Sequence, residues 1–301
     1  MKDVIVIGAG PAGLTAGLYA ARAGLQTTVL AGAELGGQLL LTEKIENFPG
    51  FLTASGLDLI ETIKKQAEGA GAEIIREKAV MLDLFKTPLK VKTDTKIYRT
   101  KTLILATGAK ARWLGVKGED KFKGKGISVC ATCDGFFYRG KMVAVIGGGA
   151  SAVYESLLLM KIAKKVIILC RENRLTGDET LITRLQQNPA VQVIYNVEVK
   201  EFLGDKKLEK IKIVKNKQES EISVDGTFVA IGSDPDSGLV KGQLKLDKWG
   251  RIETDKETGA TSISNVFAAG DVQQSGTRQA ILAAASGCLS ALSAKQYLMK
   301  K

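Results

Sequence analysis

The chain is 301 residues long, 45% hydrophobic and 25% charged, with 33 glycines and a formal net charge of +11; that length accommodates two domains with cores of their own, and that composition excludes a disordered or fibrous chain. The positive balance would draw acidic partners at long range, but the lysines are scattered rather than gathered in a block, which reads as a solvated surface, and no motif supports nucleic-acid binding. No run reaches the ~20 apolar residues of a membrane helix, and residues 4–7 are too short for the apolar region of a signal peptide, so no membrane span and a cytoplasmic location are expected.

Residues 2–7 are a β-branched run that leads into Gly8, Gly10, Pro11, Ala12 and Gly13, and residues 14–23 are rich in helix formers. Strand, glycine turn and helix in that order are a dinucleotide fingerprint: the glycines permit the tight turn, the approach of backbone to pyrophosphate and close helix packing. The helix start then offers unsatisfied N–H groups to phosphate. A second strand is expected over 27–30. The acid that holds the ribose should close it, and Glu34 is the candidate, a few residues late; it reads equally as a solvated loop acid. The loops around Gly37, Gln38 and Asn47 present amides that can donate to and accept from a heteroaromatic ring edge. Residues 57–71 read as an amphipathic helix, with short strands after it. Residues 103–108 form a buried strand that ends in the small turn Thr107-Gly108, where backbone can approach a cofactor.

Residues 109–126 are loop-like and hold the first crossover between domains. Next comes Cys130-Ala131-Thr132-Cys133-Asp134-Gly135, two cysteines separated by two residues and followed at once by a carboxylate. In a reducing compartment such a pair is catalytic or metal-binding rather than structural. The chain has four cysteines and no histidine. A tetrahedral zinc site would need two more ligands, with only the isolated Cys170 and Cys288 left as sulfur donors, so no metal is expected. Both of those read as buried packing residues.

A strand over 142–146 leads into Gly147, Gly149, Ala150, Ser151 and Ala152, then a helix to about residue 162, a second complete nucleotide unit with alanine in place of the third glycine. Its next strand, 166–169, ends at Cys170, Arg171 and Glu172. An arginine there favours a 2′-phosphate and a carboxylate favours a free 2′-hydroxyl; both are present. Residues 181–187 read as a short helix and 191–232 as short strands, with 210–217 as a charged edge strand or turn. The return crossover is expected near 234–238. The tail holds a buried strand ending in Gly270-Asp271, then an alanine-rich helix from Arg278, Gln279 and Ala280 to about residue 299. Asp271 could hold a ribityl hydroxyl, and the helix start behind it could face a flavin carbonyl.

One nucleotide domain is therefore interrupted by another, and the equivalent strand ends at 106–108 and 230–232 indicate an internal repeat. The expected fold is α/β, with two Rossmann-like dinucleotide-binding domains of the FAD/NAD(P)-binding, three-layer ββα type, one inserted in the other. The boundaries are placed at 1–114 and 240–301 for the first and 115–239 for the second.

Over essentially its full length the chain resembles the low-molecular-weight thioredoxin reductases. The resemblance rests on residues 8–13, 36–38, 46–50, 130–135 and 147–152, and on Gly270-Asp271 followed by Arg278-Gln279-Ala280. It implies an FAD domain, an inserted pyridine-nucleotide domain that carries the cysteine pair, and a homodimer. It also implies electron flow from NADPH or NADH through FAD to a Cys130–Cys133 disulfide and on to thioredoxin. By the same resemblance Cys130 attacks thioredoxin and Cys133 lies against the flavin. A departing sulfur needs a proton partner, and in a chain without histidine Asp134 is the nearest candidate; its other reading is a turn residue. Two departures stand out. Arg171-Glu172 occupies the place of the family's paired arginines, and Ala150 with Tyr154 replaces a polar residue and an acid. Relatives with an altered inserted domain take electrons from NADH, reduced ferredoxin or a deazaflavin, and a flavin dithiol oxidase would use the same cysteine pair.

Overall fold

A computed structural model describes residues 1–32, 35–42, 44–274 and 277–300. It divides into two compact units, residues 1–110 with 234–301, and residues 111–233.

The first unit opens with β1 (Lys2–Ile7), α1 (Pro11–Arg22), β2 (Thr27–Leu30) and α2 (Gly56–Gly69). These are followed by β3 (Glu73–Ile75), β4 (Ala79–Asp83), β5 (Leu89–Thr93), β6 (Ile97–Leu105) and β7 (Ala109–Ala111). The second unit contains α3 (Glu119–Phe122), β8 (Ile127–Ser128), α4 (Ala131–Asp134), β9 (Met142–Ile146), α5 (Ala150–Leu159), β10 (Lys165–Cys170) and α6 (Glu179–Gln186). It continues with β11 (Val191–Tyr195), β12 (Val197–Leu203), β13 (Lys210–Lys215), β14 (Gln218–Ser223) and β15 (Gly226–Val229). The chain returns through β16 (Ser233–Pro235) and ends with β17 (Val266–Ala268) and α7 (Ala280–Met299).

Among the described residues the first unit's sheet has seven strands in the order β3-β2-β1-β6-β5-β4, with β17 also on β6. The strands β3, β2, β1, β6 and β17 run parallel, while β4 and β5 extend β6 as an antiparallel arm. The alternation within β1 explains the layering, because successive strand side chains point to opposite faces. Val4 and Val6 enter a cluster with α1, α2 and α7, whereas Ile5 and Ile7 enter another with β4 and β5. One face of the sheet is thus covered by helices and the other by strands.

The second unit repeats this plan. Its parallel sheet runs β11-β10-β9-β15-β8 beside a separate antiparallel sheet, β12-β13-β14. Val143 and Val145 of β9 pack with α5 and α6, while Ala144 and Ile146 pack with β12 and β13. The close approaches repeat as well. A Cβ on Gly8 (φ +107°) would sit 2.2 Å from the Ala106 oxygen, and one on Gly147 (φ +142°) would sit 2.5 Å from the Ala230 oxygen. Both glycines allow the chain to turn against the neighbouring strand end, which gives the two small-residue strand ends a common cause.

Several local expectations change. The helix expected over 57–71 begins a residue earlier, because the Ser55 hydroxyl accepts the Asp58 N–H at 3.1 Å and the Asp58 carboxylate accepts the Ser55 N–H at 3.2 Å. The lysine-rich segment at 210–217 is neither edge nor turn over most of its length: β13 is the middle strand of its sheet, with Ile211 and Ile213 buried while its lysines alternate outward. The loop-like stretch 109–126 holds a short helix whose buried Glu119 accepts the N–H groups of Leu114 and Gly115 at 2.9 and 2.8 Å. Cys170 is fully buried, but Cys288, expected in the core, is only half-buried.

Candidate active site

Cys130 and Cys133 form a disulfide with their Cα atoms 5.3 Å apart. The local cause is α4, a single turn that places the two residues three apart on one side. Cys130 caps the turn, and its sulfur accepts the Cys133 N–H at 3.2 Å. The Cys130 carbonyl accepts the N–H groups of Cys133 and Asp134 at 3.2 and 3.0 Å.

The half-buried Asp134 closes that turn. Its carboxylate accepts the Ser128 hydroxyl at 2.5 Å, and the same hydroxyl oxygen accepts the Cys130 N–H at 3.0 Å. Burial pushes the Asp134 carboxyl above the usual carboxylate range, opposed in part by the Ser128 hydrogen bond. It therefore keeps a proton at higher pH than an exposed aspartate would.

Sequence reasoning missed Glu155. It projects from α5, and its carboxylate accepts the Ala131 N–H, between the two cysteines. Burial pushes it up to about 7, with the nearby Asp134 charge acting in the same direction. One signal existed: Ala152, Ser156 and Leu159 mark the buried stripe of α5, and an acid at 155 lies inside it. Tyr138 completes the surroundings. Its ring packs edge-on to Phe228 at 5.4 Å, and burial with the charges of Asp134 and Asp225 pushes its phenol up to about 12.

The first unit gathers most of the other singled-out residues at the carboxyl ends of β1, β6 and β17. The Gly36 N–H donates to the Ala9 oxygen at 3.1 Å, which brings the Gly37-Gln38 segment over the first glycine turn. A Cβ on Gly13 would meet the Gly8 oxygen at 1.9 Å and one on Gly270 would meet the Ala12 side chain at 2.9 Å, so these turns stack tightly. Asn47 donates to Gln279 at 3.3 Å. The Thr107 hydroxyl donates to the Asp236 oxygen at 2.6 Å, and Gly108 follows with φ +75°. Burial raises the Asp271 carboxyl, with the charge of Arg278 opposing. Glu34 lies outside the described residues.

This cluster fits a dinucleotide on two observations. The first turn of α1 has no side-chain cap, Gly10 and Pro11 standing at its start, and α7 begins behind Gln279 and Ala280 without one either. A Cβ on Gly10 would find nothing closer than 3.9 Å, so the missing side chain leaves that edge open while its neighbours are packed. Uncapped N–H groups beside an open glycine are what a pyrophosphate requires.

In the second unit α5 likewise starts at Gly149, Ala150 and Ser151 without a side-chain cap. A loop lies against this turn: Thr176 donates its N–H to the Gly148 oxygen at 2.7 Å, and Gly177 packs beside Ala150. Beyond the end of β10, Arg171 and Glu172 are exposed and paired with each other at 3.3 Å. Tyr154 of α5 is 58% exposed.

Comparison with known proteins gives a consistent result. The sequence profile of the pyridine nucleotide-disulphide oxidoreductases matches residues 2–287. A thioredoxin reductase of Rickettsia felis is 43% identical over 99% of this chain and 98% of its own. A thioredoxin reductase structure from Streptococcus pyogenes superposes with a TM-score of 0.96 at 37% identity, covering 100% of this chain and 99% of the other. One from Giardia duodenalis superposes with a TM-score of 0.95 at 37% identity, covering 99% of each.

Proposed function

The chain belongs to the thioredoxin reductases of the pyridine nucleotide-disulphide oxidoreductase family, and on that premise we propose that it is a flavin-dependent thioredoxin-disulfide reductase working through Cys130 and Cys133. The observation that carries the reading is the Cys130–Cys133 disulfide closed in one turn beside the half-buried carboxyl of Asp134.

FAD would be held by the first unit: its pyrophosphate at Gly10, Pro11, Ala12 and Gly13, and its ring and ribityl chain among Gln38, Asn47, Thr107, Gly108, Asp271 and the start of α7. Bound there, it would supply the hydride-accepting redox chemistry that no side chain possesses. Reduction of the disulfide consumes two electrons and two protons and leaves two thiols. The Cys130 sulfur accepts the Cys133 N–H, which favours its thiolate and suits it to attack the disulfide of thioredoxin. One sulfur of thioredoxin leaves with a proton from Asp134, and Cys130 is then in a mixed disulfide. Attack by Cys133 on Cys130 expels the second sulfur and re-forms the disulfide.

The electron donor is a nicotinamide nucleotide, and the reading favours NADH over NADPH. Glu172 stands where a ribose is read and neutralises its neighbour Arg171 instead of leaving it free for a 2′-phosphate. We infer a homodimer from the resemblance to the thioredoxin reductases. An anaerobic titration tests the donor. Bleaching of the flavin band by NADH at a rate above that with NADPH is expected; bleaching by reduced ferredoxin alone would overturn it. Cys133→Ser is expected to abolish thioredoxin reduction with FAD retained, and retained turnover would refute the disulfide route.

A further inference from the structure

We propose that Glu155 is a positioning residue for the disulfide: by accepting the Ala131 N–H it holds the turn that keeps the two sulfurs within bonding reach after the pair has been reduced. The inference rests on the redox role proposed above.

The geometry points to a backbone clamp. Two consecutive N–H groups, those of Cys130 and Ala131, are tied to carboxylates, the first to Asp134 through the Ser128 hydroxyl and the second directly to Glu155. Ala131 opens α4, so its N–H has no partner within the turn and would be left unsatisfied without Glu155. The two anchors differ in origin. Asp134 belongs to the turn it secures, whereas Glu155 comes from α5, whose Ala152, Val153, Ser156 and Leu159 are buried in the core of the second unit. Glu155 therefore fastens the cysteine turn to α5, as Ser128 ties it to β8.

The clamp matters most when the S–S bond is open. Reduction adds two electrons and two protons, and the covalent restraint between residues 130 and 133 disappears. The turn's hydrogen bonds then set the effective concentration of one sulfur at the other, and hence how readily the disulfide re-forms. Releasing the Ala131 N–H loosens the turn and shifts the equilibrium toward the dithiol.

Glu155 also carries a charge that titrates in the working range. Among elements packed against α5, α4 supplies Asp134, whose charge acts on Glu155. α6 carries Glu179 and Arg184, both exposed, β10 carries Lys165 and the buried Cys170, and β9 has no ionisable side chain. Tyr138 and the two cysteines are the other titratable groups at the turn.

The test is the equilibrium of Cys130–Cys133 against dithiothreitol in the holoenzyme, read by alkylation, with steady-state thioredoxin reduction beside it. Loss of a hydrogen bond to a charged group predicts that Glu155→Leu shifts the equilibrium about tenfold toward the dithiol, or ~30 mV less negative. The kcat for thioredoxin falls and KM is unchanged. Glu155→Gln keeps an acceptor oxygen and is expected to stay within about threefold of wild type. A wild-type equilibrium in Glu155→Leu, or equal shifts in both variants, would overturn the proposal. If Glu155→Leu does not fold, Glu155→Gln decides alone across pH 5.5–9: loss of the bend near neutrality with the low-pH plateau retained supports the clamp, and a plateau displaced about tenfold overturns it. A wild-type protein that does not reduce thioredoxin would refute the proposed function while leaving the thiol equilibrium measurable.

Discussion

Replacing Gly148 tests how tightly the second glycine turn is packed. A Cβ at this position would sit 2.3 Å from the Cys170 sulfur, with the next neighbours, the Arg174 oxygen and the Cys170 Cβ, at 3.7 Å. Gly148 does not need the left-handed region, so the backbone itself does not oppose alanine. The obstacle is one sulfur atom on a fully buried side chain. Overpacking of this kind costs about 2 kcal/mol, which in a protein of this size lowers Tm by roughly 3 °C. Cys170→Ala alone removes one buried heavy atom and costs about 1 kcal/mol. Together the two substitutions place the new methyl in the space the sulfur left, so the double variant should be no worse than Cys170→Ala, a coupling of about 2 kcal/mol. Thermal unfolding of the four proteins in the holo form measures it. Additive losses in the double variant would show that the sulfur is not what excludes a side chain at 148.

Three further outcomes are expected. Asp134→Asn should lower kcat for thioredoxin by about a hundredfold with flavin reduction by the donor intact. Because the Asp134 carboxyl is raised, wild-type turnover should fall as pH rises through that shifted value, and the variant should lack this limb; an unchanged pH profile would exclude a proton role. Glu155 is raised from 4.5 to about 7, so between those values the folded state holds a proton the unfolded state has released, and stability falls as pH rises. Against Glu155→Gln, wild type should lose up to about 3 kcal/mol between pH 4.5 and 8, measured by urea unfolding at each pH. Glu172→Arg should raise kcat/KM for NADPH about tenfold relative to NADH by removing a carboxylate and adding a cation where a 2′-phosphate would lie. An unchanged ratio would show that the nucleotide is not read at this strand end.

By itself the sequence determined the architecture, because each part of it is written in local pattern. Apolar residues at 4–7 and 143–146 have nowhere to go but the centre of a sheet, and a glycine turn before a helix former specifies the strand-turn-helix unit twice. The cysteine pair with its following acid is equally local, since the four residues of one turn suffice to bring the sulfurs together. What the tertiary structure decided are relations between distant segments. Glu155 belongs to the site only because α5 packs beside α4, and from sequence it is one acid among 32 acidic residues. The lysine-rich β13 became a central strand because pairing on both sides outweighs the charge alternation that suggested an edge. Periodicity reports which face of an element is buried, whereas the partner on that face, and so the pKa of any acid set there, is fixed by packing alone.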